Sequence, residues 1–138
     1  MGRIAPVQPV TPILGVIYRD PVVVDDAMMW VEHVMGDVMT SSDVWPFDLT
    51  DHYAPEMGTD LKRRFYTFAP LADPSLLSHW KVQTNLLEEQ AAERFDEPRP
   101  LNLDPGYITG AKLVLASVKG LAHRVYIGQG ISAEVTMS

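Results

Sequence analysis

The stretch that decides the fold is ILGVIYRDP, residues Ile13 to Pro21. A short apolar run with β-branched residues reads as a buried central strand. Asp20-Pro21 then reads as a helix start. An Asp side chain caps free backbone N–H groups, and a Pro at the first helical position lacks a donor that would be unpaired there anyway. Downstream, Val24, Ala27, Met28, Val31, Val34 and Met35 fall on one helical stripe, with Gly36 as a C-terminal cap. A strand passing directly into an amphipathic helix is the first half of a βαβ unit.

Reading outward, Pro6, Pro9 and Pro12 mark an extended arm before that strand. After the helix, Val38 to Trp45 is a strand candidate, and Phe47 to Gly58 reads as a loop. Arg63 to Phe68 alternates, with Phe65 on one face and Arg64, Tyr66 and Phe68 on the other. Asp73-Pro74 starts a second helix with Leu77, Trp80, Thr84, Leu87 and Ala91 on its buried stripe. Leu101 to Leu103 is a short strand. Asp104-Pro105 reads as a third helix start, with a stripe through Tyr107, Ala111, Val114, Leu115 and Val118 and a stop at Gly120. Gly128-Gln129-Gly130 joins Ala122–Ile127 to Ser132–Met137 as a hairpin. The expected fold class is α+β: a mixed, mostly antiparallel sheet with helices packed on it. Its order is the ferredoxin-like βαββαβ, plus an added helix and β-hairpin.

The 138 residues suit one domain, 1–138. With no cysteine, the chain has no disulfide, zinc–thiolate centre or cysteine nucleophile. No apolar run reaches the length of a membrane span, and residues 1–10 lack the apolar segment of a signal peptide, so the expected location is the cytoplasm. A net charge of −7 argues against bulk binding to DNA, RNA or anionic lipid. The one dense basic run is Lys62-Arg63-Arg64.

Several stretches resemble a bacterial family known as domain of unknown function 4416. They are Pro46 to Tyr53 with Glu56-Met57-Gly58, Leu61 to Phe65, Leu101 to Tyr107, Lys112 to Ala116, and His123 to Gly128. The resemblance covers most of the chain, in the family's order. It implies no established activity. Some members of that family are labelled GTP-binding regulators, but this sequence has no strand followed by GxxxxGK with Ser or Thr, the pattern whose backbone N–H groups cradle phosphates. The family also carries a Trp/Tyr/Pro-containing segment after the last hairpin, whereas this chain stops at Ser138.

Four groups of residues can carry chemistry. Asp48, Asp51, His52 and Glu56 offer oxygen ligands, and Asp51 is the candidate for Mg²⁺. The alternative is a solvated turn. Lys62 and Arg64 share a strand face and can clamp a phosphate, or else simply protect an exposed edge. Asn102 sits opposite Leu101 and Leu103, and Asp104 reads first as a helix cap. His123 is the candidate acid or base, beside Arg124, with Glu134 on the partner strand as an ordinary cross-strand alternative. His33 and His79 read as surface residues, and Trp30, Trp45 and Trp80 as core.

The expectation is a small-anion binding protein, and if an enzyme, one with His123 as acid/base. Its ligand would be a phosphorylated metabolite or nucleotide, held by Lys62, Arg64, Asn102, Lys112 and Arg124. The rival is a non-catalytic interaction domain that binds a partner or a second copy as a homodimer. The methionines Met28, Met29 and Met35 on the first helix would suit it as an adaptable apolar surface.

Overall fold

The Ile13–Tyr18 run is the body of the first strand, β1 (Thr11–Tyr18), and it lies at the centre of the sheet. The computed structural model describes residues 2–47, 57–110, 113–117, 124–128 and 131–136, with 124–128 and 132–136 by their backbone. Asp20 caps the first helix, α1 (Pro21–Met35), by accepting from the Val22 N–H at 3.0 Å. Gly36 ends it at φ +106°, where a Cβ would sit 2.6 Å from the Ala69 carbonyl, so a glycine is needed there.

Strands β2 (Asp37–Ser41), β3 (Trp45–Pro46) and β4 (Lys62–Ala69) follow. Asp73 accepts from the Ser75 N–H at 2.8 Å, which holds its carboxyl below the usual carboxylate range. The chain then enters a 3-10 turn and the second helix, α2 (Leu77–Arg94). Four further strands follow among the described residues: β5 (Leu101–Ile108), β6 (Leu113–Ser117), β7 (Arg124–Gly128) and β8 (Ile131–Thr136).

The strands form one eight-stranded sheet in the order β2-β4-β1-β5-β6-β8-β7, with β3 beside β4. Each described pairing is antiparallel. The segment β2-β4-β1-β5 has the ferredoxin-like arrangement that the element order implies. The α+β class and the closing hairpin agree with the sequence reading. No helix among the described residues is long and apolar enough to cross a membrane.

Two readings differ: the expected Val38–Trp45 strand is two short strands, β2 and β3, with residues 42–44 in neither, and the third helix is absent among the described residues. The expected helix from Asp104-Pro105 through Val118 is replaced by the second half of β5 and by β6. β5 pairs with β1 along all eight residues, from Thr11 opposite Ile108 to Tyr18 opposite Leu101. Pro105 is tolerated because its missing N–H lies on the edge away from β1, and β6 takes up pairing on that edge only from Gly106. At Gly106 a Cβ would lie 2.2 Å from the Val114 carbonyl, so glycine lets β5 and β6 approach. The run Leu113 to Ser117 buries Val114 and Ala116, a period of two rather than 3.6.

The main core lies between the helices and one face of the sheet. Leu14, Val16 and Tyr18 of β1, Tyr66 and Phe68 of β4, and Leu101 and Leu103 of β5 meet Val23, Val31 and Met35 of α1 and Leu77 and Trp80 of α2. On the other face Ile17 packs against Met57, Leu61 and Phe47. Trp80 is a core residue as expected, whereas Trp30 and Trp45 are exposed. Both lie outside the contact between the helices and the sheet, Trp30 on the outer surface of α1 and Trp45 on the short β3. His33 and His79 are at the surface.

Candidate functional site

Along α2, Lys81, Thr84 and Glu88 recur at spacings of three and four and so share one helix face. That face is turned toward the first half of β5, where β6 does not pair. An unpaired strand edge leaves backbone groups without partners. Two α2 side chains supply them. Glu88 Oε2 accepts from the Leu103 N–H at 2.6 Å, and Lys81 Nζ donates to the Leu103 carbonyl at 3.0 Å. Thr84 is fully buried and donates its hydroxyl to the Lys81 carbonyl at 3.2 Å.

Lys81 is only 6% exposed, which is rare for lysine. Its ammonium also reaches round the edge to Asp104, 3.7 Å from Oδ1. Asp104 and Asn102 lie on the sheet face opposite the helices, beside Gly15 and Ile17 of β1. Asn102, 3% exposed, donates to Asp104 Oδ2 at 2.8 Å and accepts from the Arg99 guanidinium. Lys81, Glu88, Arg99, Asn102 and Asp104 thus form one connected polar network at this edge.

Burial pushes the Glu88 carboxyl above its ordinary range, and nearby Lys81, the Leu103 N–H and Arg99 only partly oppose it. A carboxyl whose protonated form is favoured by burial beside a lysine is a group suited to acid–base chemistry. It also predicts a pH dependence. An acid whose pKa is higher in the folded state binds its proton more tightly there. Its contribution to stability is then greatest at low pH and falls as pH rises from the ordinary value of 4.5 through the folded value. Glu88→Gln keeps an acceptor for Leu103 but cannot ionise. Urea unfolding at pH 5 and pH 8 should show the native protein losing ground to the variant at the higher pH. An equal difference at both would mean that Glu88 is well solvated.

The structure separates the residues that the sequence reading brought together. Lys62 and Arg64 alternate with Arg63 and lie on the face of Tyr66 and Phe68, opposite to Asn102. Lys62 Nζ donates to the Arg19 carbonyl at 3.2 Å. Arg64 donates to the Ser42 carbonyl at 3.1 Å and Ser41 Oγ at 3.0 Å, and its guanidinium lies 5.3 Å from the Tyr66 ring centre. Burial raises the Tyr66 phenol, an effect that the Arg64 charge reduces. Arg63, by contrast, shares a face with Asn102, since both pair with Ile17. Its guanidinium stacks 4.8 Å from the Phe65 ring centre and 5.4 Å from that of Phe47.

Asp51, Lys112 and His123 lie outside the described residues, as do Asp48, His52 and Glu56. Arg124 opens β7 directly opposite Glu134 and is one of the two cross-strand neighbours, with His123, that the hairpin allowed that residue. Asp104 caps no helix and bonds Asn102 instead. Among the described residues no group of three or more His, Asp or Glu side chains is placed to hold a metal. Lys81, Glu88 and Arg99 were not singled out by sequence. The available signal was Lys81 and Glu88 flanking Thr84 on a helix face otherwise assigned to the core.

Searches of curated proteins and of solved structures gave no match. The model of a family described as a domain of unknown function, DUF4416, matches residues 8–138, so the chain belongs to that family.

Proposed function

We propose that the chain binds a small phosphorylated metabolite or nucleotide at the open edge of β5, with Arg99 and Asn102 at the seat of the anion. The observation that carries this reading is the buried Asn102 amide, joined to Arg99 on one side and to Asp104 on the other, with Lys81 beside Asp104. Two cations contact this pair, Arg99 at Asn102 and Lys81 at Asp104. An arginine fork matches phosphate oxygens in pairs, and low local dielectric strengthens each contact. Lys62 and Arg64 have no part in this seat, because they sit on the other face. Glu88 is the group in the network suited to proton exchange, if the bound molecule reacts. Lys112, His123 and Arg124 are the further candidates, and Asp51 the candidate for Mg²⁺.

The test is thermal unfolding of the full chain with phosphate, pyrophosphate, GTP, ATP and sugar phosphates, each with and without Mg²⁺. A ligand at about 100 times its Kd adds roughly 2.7 kcal/mol. For a domain of this size that raises Tm by about 9 °C. Arg99→Met should abolish the shift, while Lys62→Met should leave it unchanged. A flat panel, or a shift that Arg99→Met does not touch, would sink the proposal.

A second reading, a non-catalytic interaction domain, has its own observation. Of the three methionines expected to form that surface, Met35 is buried and Met28 packs against the core, but Met29 is 58% exposed beside Trp30, 49% exposed, on the outer face of α1. Large apolar side chains grouped on a surface favour a partner.

A further inference from the structure

The arm before β1 has a period that the rest of the chain lacks. Ile4, Val7 and Val10 recur every third residue, and so do Pro6, Pro9 and Pro12. A polyproline II helix has three residues per turn, so each set forms one ridge along it. The third ridge holds Ala5, Gln8 and Thr11. Such an arm carries an apolar face two ridges wide.

That face is buried only where it joins the fold. Val10 and Pro12 are buried, and Val10 exchanges two backbone hydrogen bonds with Ala72, each 2.8 Å. Residues 2–9 are all exposed and form no helix or strand; Ile4 is fully bare and Val7 is 60% exposed. Among the described residues, the arm's apolar ridge therefore has no partner on its own chain.

The helices offer a matching surface. Between α1 and α2 lies an open groove of about 380 Å³ lined by Trp30, Leu86 and Leu87, with His33, Gln83 and Gln90 among them. Trp30 and His33 rings lie 5.8 Å apart. A polyproline II segment has no internal hydrogen bonds, so its carbonyls are free to accept. The Trp30 indole and the Gln83 and Gln90 amides can donate to them. Aromatic-lined grooves with such donors take proline-rich segments, whose ordering cost is low. The charges also match. The arm carries Arg3 and no acid, while Glu89 and Glu93 are exposed on α2, within a turn of Leu86 and Gln90.

We propose that residues 2–9 of one copy lie in the α1–α2 groove of a second copy, and reciprocally, to form a two-fold dimer. This rests on the second functional reading and is independent of the first. Exchange about a two-fold axis satisfies both arms and both grooves with one self-complementary contact.

Sedimentation of the full chain over a wide concentration range tests it. Wild type should pass from monomer to dimer. An arm variant, Ile4→Asp with Val7→Asp, and a groove variant, Trp30→Ser with Leu86→Gln, should each weaken dimerisation at least roughly tenfold. All four side chains are exposed, so circular dichroism should show both variants folded. An equal mixture of the two should regain association, because one still offers an intact groove and the other an intact arm. A monomer at all concentrations would overturn this proposal and leave the interaction reading only its other form, binding of a different partner. A dimer that survives the arm variant, or a mixture that stays monomeric, would overturn the arm exchange alone.

Discussion

Trp80→Ala should lower the free energy of unfolding by about 3–5 kcal/mol, the range for deleting a large buried aromatic. Trp80 is 1% exposed and packs in the core between α2 and the sheet. The lost area is large, and the neighbours that would have to close the cavity are held by helix and sheet hydrogen bonds. For a domain of this size the drop in Tm is roughly 10–15 °C. Trp30→Ala and Trp45→Ala are the controls. Both side chains are about half exposed, and each substitution should cost under about 1 kcal/mol. Urea unfolding followed by far-ultraviolet circular dichroism reads all three without depending on tryptophan emission. Equal losses at positions 30 and 80 would contradict the packing described for α1 and α2.

Lys81→Met should cost about 2–4 kcal/mol. Methionine matches the lysine stem in volume, so packing is nearly conserved and the loss isolates the ammonium. Two acceptors then lose their donor: the Leu103 carbonyl at a strand edge and the Asp104 carboxylate. Removing one partner of a buried pair leaves the other charge uncompensated, which is the costly case. Asp104 keeps some contact with water, its side chain being 30% exposed, so the loss falls short of a fully buried pair. In an Asp104→Asn background, Lys81→Met should cost about 1 kcal/mol less, the coupling of a contacting pair. A neutral Lys81→Met would mean that the ammonium reaches water and that the network is a surface feature.

Much of the fold was legible because its signals are local. The Asp20-Pro21 start, the α1 stripe and the Gly36 stop are short-range features, and each appears where the pattern places it. The alternation in β4 likewise separated Phe65 from Tyr66 and Phe68, since a strand puts neighbours on opposite faces whatever it pairs with. The third Asp-Pro shows where this stops. Asp20-Pro21 and Asp73-Pro74 begin helical segments, yet Asp104-Pro105 lies inside a strand. The three dipeptides offer the same capping chemistry. What differs is that residues 101–108 pair with β1 along their whole length, a long-range contact that outweighs local propensity.

The candidate site was legible only in part for the same reason. Asn102 and Asp104 stand out in sequence, and they do form the centre of a polar network. Lys62 and Arg64 stand out equally, but the register of β4 against β1 turns them to the other face.

The sequence by itself determined that β1 is a buried strand, where α1 begins and ends, where α2 begins, and which side of β4 is apolar. Those properties depend on residues a few positions apart. Only the tertiary structure decided that Lys81, Glu88 and Arg99 belong with Asn102. The half of β5 left unpaired by β6 exposes the Leu103 backbone, and a strand edge with no neighbour must find its hydrogen bonds in whatever side chains the covering helix brings to it.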